Sequence, residues 1–254
     1  MTSMTPDLNG QTAVVTGASR GIGRAIALRL AESGANVVAT GRDAELLEQT
    51  AAAIREAGGV AFPVAADLND AGDRRRLVDA ALEQFGAVHI LVNNAGVNRV
   101  EPTASVTEDT WDWIIDTNLK AVFFLTQLVA QDMLERGGGR IINIGSEAGL
   151  KGYAEHAVYG ASKGGLVTMT KVLAVEWGGQ GVRVNVVCPG ATWTGMTAPA
   201  MDDPATRDQI INRGVVGRIC QPEEIAEMVA YLCGEAADMI TGQVISIDGG
   251  STAK

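Results

Sequence analysis

The sequence predicts one doubly wound α/β domain over residues 1–254, a parallel sheet with helices on both faces. Three observations predict it. Short β-branched runs alternate with helical apolar spacing along the whole chain. Several of those runs are apolar at every position, as strands buried on both faces are. No proline-rich linker, charge block or internal repeat divides the chain. Its 254 residues, 46% of them hydrophobic, suffice for one large core or two small ones, and the unbroken alternation favours one.

The elements follow in order. TAVVT (12–16) is the first strand and ends at Gly17. GIGRAIALRLAESG then places Ile22, Ile26 and Leu30 at helical spacing, with Gly34 as the stop. NVVAT (36–40) is a strand, followed by a helix opening at Asp43 with Leu46, Leu47, Thr50 and Ile54 inward. Gly58-Gly59 ends that helix before the strand VAFPVA (60–65). A charged helix over 70–85, the strand HILVN (89–93) and a long helix from Thr107 come next. The strand RIINIG (140–145), a helix around Tyr159–Trp177 and the strand VRVNVV (182–187) keep the rhythm. QPEEIAEMVAYLC is a helix with Pro222 in its first turn, and VISID (244–248) is the last strand. Residues 192–217, with Trp193, Met196, Met201 and two prolines, form the least regular segment, a candidate lid after a strand end.

Charge and cysteines exclude several classes. A formal net charge of −10 argues against nucleic-acid or anionic-membrane binding, which need a basic face. Cys188, Cys220 and Cys233 lack metal-ligand spacing and read as reduced thiols of a cytoplasmic protein. The polar start MTSMTPDLNGQ lacks a signal-peptide pattern, and no apolar run approaches the ~18 residues of a membrane span. The expectation is a soluble protein.

TGASRGIG (16–23) stands between the first strand and the first helix. Gly17, Gly21 and Gly23 allow a tight turn and close approach of a ligand, and the helix start behind them favours a phosphate. That context is the one a dinucleotide site requires. At the end of the second strand, ATGRD places Gly41 where an acid would bind an adenosine ribose, and Arg42 follows. Arg42 and Arg20 can clamp a 2′-phosphate, while Asp43 serves as a helix cap. NADP(H) is therefore preferred, with NAD(H) as the alternative.

Further on, Tyr159 and Lys163 lie four positions apart, on one helix face. A free phenol has a pKa of about 10, and a neighbouring ammonium favours its phenolate. Together with TGASRGIG, the residues Asp67, NNAG (93–96), Asn118, Ser146, YGASK (159–163), Pro189-Gly190 and the closing ITGQVISIDGG form an ordered set. In these motifs the chain resembles the short-chain dehydrogenase/reductases, in the subclass with a TGxxxGxG motif, over nearly its whole length.

The resemblance implies a Rossmann-type fold, a nicotinamide cofactor and a tetrad of Asn118, Ser146, Tyr159 and Lys163. Tyr159 would be the acid in carbonyl reduction and the base in alcohol oxidation. Lys163 would hold the nicotinamide ribose, and Ser146 would hydrogen-bond the substrate oxygen. Asn118 would bind a water that relays protons to Lys163. For the cofactor it implies Gly17, Ser19, Arg20, Gly21, Ile22 and Gly23 in the phosphate loop, with Asp67 and Leu68 at the adenine. It places Asn94, Ala95 and Gly96 on the adenosine side, and Pro189, Gly190, Thr192 and Thr194 at the nicotinamide. A homotetramer is the family's common assembly, through the helices after Thr107 and around Tyr159 and through the closing strand with its preceding helix. AVFFLTQLVA fits a helix buried on more than one side, and Trp111 and Trp113 read as packing.

Three departures stand out. His89 replaces a common aspartate, which puts a local hydrogen bond in doubt. Gly145 stands where a second serine is frequent, and His156 lies three residues before Tyr159, as a pocket wall. Ser146, Glu147, His156 and Trp193, with Glu155, would give a polar pocket for a hydroxylated or small keto substrate. The resemblance extends to members acting on 3-oxoacyl thioesters and on sugars or polyols. Two alternatives are a non-catalytic cofactor-sensing regulator, which predicts a broken tetrad, and a related epimerase or dehydratase. The latter carries a different glycine spacing and a larger C-terminal region.

Overall fold

A computed structural model describes residues 6–195, 197–198 and 202–254. Strands β1 (Thr12–Thr16), β2 (Asn36–Gly41), β3 (Val60–Ala65), β4 (Ile90–Asn93), β5 (Gly139–Ile144), β6 (Val182–Pro189) and β7 (Val244–Ile247) form one sheet. Their order is β3-β2-β1-β4-β5-β6-β7, and every pairing is parallel. Between them lie α1 (Gly21–Glu32), α2 (Ala44–Glu56), α3 (Ala71–Phe85), α4 (Glu108–Ile115), α5 (Ala121–Arg136) and α6 (Ala157–Trp177). Helices α7 (Pro204–Ile211) and α8 (Pro222–Cys233) follow β6. Met196 and Met201, assigned above to a lid, lie outside the described residues.

The apolar strands are explained by two cores, one per face. Ala13, Val15, Val37, Ile90 and Ile142 pack against Ile26 and Leu30 of α1, Leu47 of α2 and Val229 of α8. The alternating residues Val14, Val38, Leu91 and Ile141 pack against Leu77 of α3, Leu125 and Met133 of α5 and Leu173 of α6. Full burial of such a side chain contributes about 1.5–3 kcal/mol, so neither face of the sheet can be stripped of its helices.

Each helix start has a local cause. Asp43, Asp70 and Thr107 accept a hydrogen bond from the backbone N–H three residues on. Gln221 and Glu224 form a capping box at α8, with Pro222 in the first turn. A buried amide ladder ties β4, β5 and the two helices below them together. Asn93 donates to Thr126 Oγ1 and Asn143 Oδ1, both at 2.9 Å, and Asn143 donates to Thr170 Oγ1 at 2.9 Å. It anchors α6, which carries Tyr159, to the sheet.

Some expectations need correction. The helix from Thr107 runs on to Arg136 but carries a π-helical turn, Asp116–Lys120, between α4 and α5. Helix α5 is buried on one side only within the chain, since Phe123 and Phe124 are 39% and 40% exposed. Trp111 and Trp113 do not pack into the core either, being 47% and 39% exposed, because the short α4 turns them outward. Leu46 is only half-buried, unlike Leu47, Thr50 and Ile54. The irregular segment contains a helix of its own, α7, capped by Asp203. Among the described residues no helix is long and apolar enough to cross a membrane.

Candidate active site

The strand order reverses between β1 and β4, so their C-terminal ends diverge into a crevice, the usual ligand position in such sheets. Thr16 stitches the two ends together. Its Oγ1 accepts from the backbone N–H groups of Asn94 and Ala95, each at 2.9 Å. The Asn94 side chain donates to Thr16 O at 2.9 Å and to Gly17 O at 3.3 Å. Asn94 thus braces the glycine loop with its side chain.

The loop geometry needs its glycines. Gly17 and Gly21 have φ of +64° and +56°. A Cβ on Gly23 would fall 2.2 Å from Gly17 O and 2.4 Å from Asn94 Nδ2, and one on Gly21 would meet Thr194 Cγ2 at 3.2 Å. Arg20 precedes α1 without a side-chain cap, and the first turn holds no acidic residue. The free N–H groups of that turn suit an anion. Ser19 lies beside Gly41, whose Cβ would be 3.9 Å from Ser19 Oγ, while Ile22 is half-buried against the core. Arg42 and Arg20 are exposed and in no ion pair among the described residues. Asp43 is occupied by Leu46 N at 3.1 Å. These residues fit a dinucleotide carrying a 2′-phosphate.

The outer positions are placed as follows. Asp67 is exposed and accepts from Asn69 N at 3.0 Å. Leu68 packs against the α3 side of the core, and its carbonyl accepts from Arg74. Thr192 donates to Gly190 O at 3.0 Å, and Thr194 N donates to Thr197 Oγ1 at 3.0 Å, which folds the chain after Pro189 toward the glycine loop. Trp193 is half-exposed, its backbone N–H donating to Cys220 O.

At the end of β5 the catalytic candidates meet. Lys163 is buried and donates from Nζ to Ile144 O at 2.8 Å, with Nζ 5.9 Å from the centroid of the Tyr159 ring. Ser146 Oγ accepts from Ala148 N at 3.1 Å, and its hydroxyl is near enough to the phenol to pull its pKa down. Gly96 separates Lys163 from Asn118: its Cβ would be 3.5 Å from Lys163 Nζ and 3.3 Å from Asn118 Oδ1. Asn118, on the π-helical turn, accepts from Val97 N and donates to Val97 O, both at 2.8 Å, and donates to Ser162 Oγ at 3.2 Å. His156 stands at the start of α6 with its ring 6.3 Å from that of Tyr159.

Known proteins share this layout. Residues 17–252 match the family described as enoyl-(acyl carrier protein) reductase. A D-threitol dehydrogenase of Mycolicibacterium smegmatis is 41% identical over 248 residues, covering 97% of this chain and 95% of its own. The 3-oxoacyl-(acyl-carrier-protein) reductase FabG of Thermotoga maritima is 35% identical over 243 residues, 96% of this chain and 98% of its own. A single-residue variant of actinorhodin polyketide ketoreductase, solved with NADPH, superposes with a TM-score of 0.93 at 38% identity and covers 100% of both chains. This chain belongs to the short-chain dehydrogenase/reductase family.

In this short-chain dehydrogenase/reductase the electrostatics differ from the simple pairing expected above. Burial raises the Tyr159 phenol above its usual value; the Ser146 hydrogen bond opposes this, while Cys188 and Glu147 add to it. Burial pulls the Lys163 ammonium down to about 8. The net direction for the phenol is upward because loss of water around the buried ring exceeds the pull of the Ser146 hydroxyl. At neutral pH the pair is a phenol beside an ammonium. That is the protonation state carbonyl reduction requires. The Asn118 amide also positions the Gly96–Val97 loop through Val97 and meets Ser162, which leaves its Oδ1 one further site to accept at.

Two departures find explanations. His89 keeps the hydrogen bond that was in doubt, since its Nδ1 accepts from Thr12 N at 3.0 Å. Burial and the Arg136 charge lower its pKa, which keeps that nitrogen free to accept. Gly145 is required by Cys188, because a Cβ there would lie 2.7 Å from Cys188 Sγ and 2.9 Å from Val186 Cγ2. Overpacking of this kind costs about 1–3 kcal/mol, so Gly145→Ser is expected to lower Tm by roughly 2–12 °C. Adding Cys188→Ala should restore most of it in a thermal melt; an unshifted single variant would show that the strand end yields freely.

Sequence reasoning missed Tyr153 and Ser251. Their hydroxyls meet at 3.0 Å across 98 residues of chain, a proximity for which no local pattern exists. Glu155 has φ +65° and is exposed, its carbonyl accepting from Glu101 N, so its role is in the loop backbone.

Proposed function

We propose that this enzyme reduces a ketone to a secondary alcohol, and the reverse, with NADPH preferred over NADH. One observation carries the reading: Tyr159, Lys163 and Ser146 converge at the end of β5, beside the glycine loop of β1. The nicotinamide supplies the hydride. Ser146 donates a hydrogen bond to the substrate oxygen, and Tyr159 donates the proton that completes the alcohol. The Lys163 ammonium then faces a phenolate, which it stabilises, and its remaining N–H groups would hold the ribose hydroxyls. Asn118 holds the Gly96–Val97 wall against Lys163. Arg42 and Arg20 bind the 2′-phosphate, and the α1 start binds the pyrophosphate.

The substrate is a hydroxylated or small keto compound, in keeping with the relatives named D-threitol dehydrogenase and 3-oxoacyl-(acyl-carrier-protein) reductase. The described parts of the segment 192–217 cover the cleft, a reading supported by Thr194 beside Gly21 and by Arg213 over the Tyr153 ring. A homotetramer is supported by the half-exposed apolar side chains of α4–α6, among them Trp111, Phe124 and Val172. A cytoplasmic location is supported by three free cysteines. A cofactor-sensing regulator and an epimerase or dehydratase draw no support from relatives named dehydrogenases and reductases.

The test is oxidation of NADPH and NADH with a panel of ketones and hydroxyketones. NADPH should be consumed faster. Reduction should slow as pH rises through about 8, where Lys163 loses the proton whose charge stabilises the phenolate. Silence across the panel with NADPH still bound would return weight to a sensor.

A further inference from the structure

Hydride transfer leaves one carboxylate of the cleft without a task. Glu147 follows Ser146 in the short 3₁₀ turn Glu147–Gly149 and is 7% exposed. Its Oε2 is buried with no hydrogen-bond partner among the described residues. An acceptor buried without a donor is costly, and such groups call for a specific reason. A bound ligand's O–H is one that this position offers, since Glu147 stands close enough to Tyr159 and Tyr153 for its charge to be felt by both phenols.

The surroundings are built for hydroxyl groups. Tyr153 Oη and Ser251 Oγ lie 3.0 Å apart, and Ser251 is 1% exposed, held there as Lys151 Nζ donates to its carbonyl at 2.8 Å. Arg213 sits 5.0 Å over the Tyr153 ring centroid. Glu147, Arg213 and Ser251 share the wall of a cavity of about 210 Å³. A carboxylate only accepts, whereas the two hydroxyls both donate and accept. The set therefore suits a chain bearing several hydroxyls.

We propose that Glu147, Tyr153 and Ser251 form a hydroxyl-binding subsite beside the reacting carbon, selecting neutral polyols and their hydroxyketones over plain alcohols and ketones. This rests on the reading of Tyr159 as acid and base. Of the groups on that wall Glu147 holds the acceptor left without a donor, and an acidic sugar would bring a second acceptor to it, whereas a neutral polyol brings an O–H. A site that hydrogen-bonds a substrate hydroxyl rejects the analogue lacking it far more strongly than an apolar pocket rejects a missing methylene.

The experiment compares xylitol, gluconate and 2-butanol as substrates with NADP⁺, for wild type, Glu147→Gln and Glu147→Leu. Wild type should favour xylitol over 2-butanol by at least 100-fold in kcat/KM. That ratio should fall at least tenfold in Glu147→Leu and by less in Glu147→Gln, which keeps an acceptor oxygen. A second readout is the rise in Tm that xylitol gives to NADP⁺-loaded protein. It should persist in Tyr159→Phe and vanish in Glu147→Leu. An unchanged ratio in Glu147→Leu, a wild type indifferent to the polyol, or a preference for gluconate overturns the subsite. An active Tyr159→Phe variant that still binds xylitol overturns the proposed mechanism and leaves the subsite standing.

Discussion

Replacing Tyr159 with phenylalanine is expected to lower kcat for ketone reduction by about 10²–10⁴-fold, the usual contribution of a positioned general acid. The change removes one oxygen and leaves the ring, so α6 keeps its packing and the NADPH dissociation constant should stay where it is. The neighbouring groups are engaged in other contacts. His156 has its Nδ1 2.8 Å from the carbonyl of Ala154, and Burial raises Cys188 to about 11. Tyr153 is tied to Ser251 and has its own phenol raised, mainly by burial. Single-turnover kinetics with saturating NADPH measure the effect directly. A variant within threefold of wild type would mean that the proton comes from elsewhere.

Replacing Arg42 with aspartate is expected to reverse cofactor choice. Arg42 stands exposed just past the end of β2, and the adjacent Asp43 is occupied as the cap of α2, so its carboxylate does not oppose a phosphate there. Losing a charge-assisted hydrogen bond costs about 1.5–3 kcal/mol, roughly one to two powers of ten in affinity. The new carboxylate adds repulsion of the 2′-phosphate and a partner for the free ribose hydroxyls of NADH. Together the ratio of kcat/KM for NADPH over NADH should fall by roughly 100-fold or more. The α2 cap is untouched, so Tm should hold. An unchanged ratio would place the 2′-phosphate on other groups.

Much of the fold could be read from the chain because the physics is local and repetitive. A strand apolar at every position, such as the one carrying Val14 and Val15, has to be covered twice, and the helix after it carries Ile26 and Leu30 at the spacing that covers it. The candidate site was legible for a related reason: Tyr159 and Lys163 share one helix, and the glycines stand at the one turn that needs them. What stayed hidden depends on distance or on a single residue. The π-helical turn at Asp116–Lys120 leaves no mark on apolar spacing, so the contacts of Asn118 with Val97 and Ser162 could not be foreseen. Ser251 reaches Tyr153 only because the chain after β7 folds back over the cleft. The acceptor role of His89 was invisible because its donor, the N–H of Thr12, lies 77 positions away. The upward push on the Tyr159 phenol was not legible because residue type gives charge and spacing but not the loss of water around a buried ring.

The widened turn between α4 and α5 also bears on durability. A regular winding through residues 116–120 would need one residue fewer, and deleting it would swing the amide of Asn118 by about 100°, off the backbone of Val97. The helix would straighten into a rod with a regular ladder throughout, sturdier against heat, yet the wall that keeps Lys163 in place would slacken. Robustness and turnover thus compete over a single peptide unit, so breeding this protein for hot conditions by smoothing its helices would cost it its chemistry at this spot.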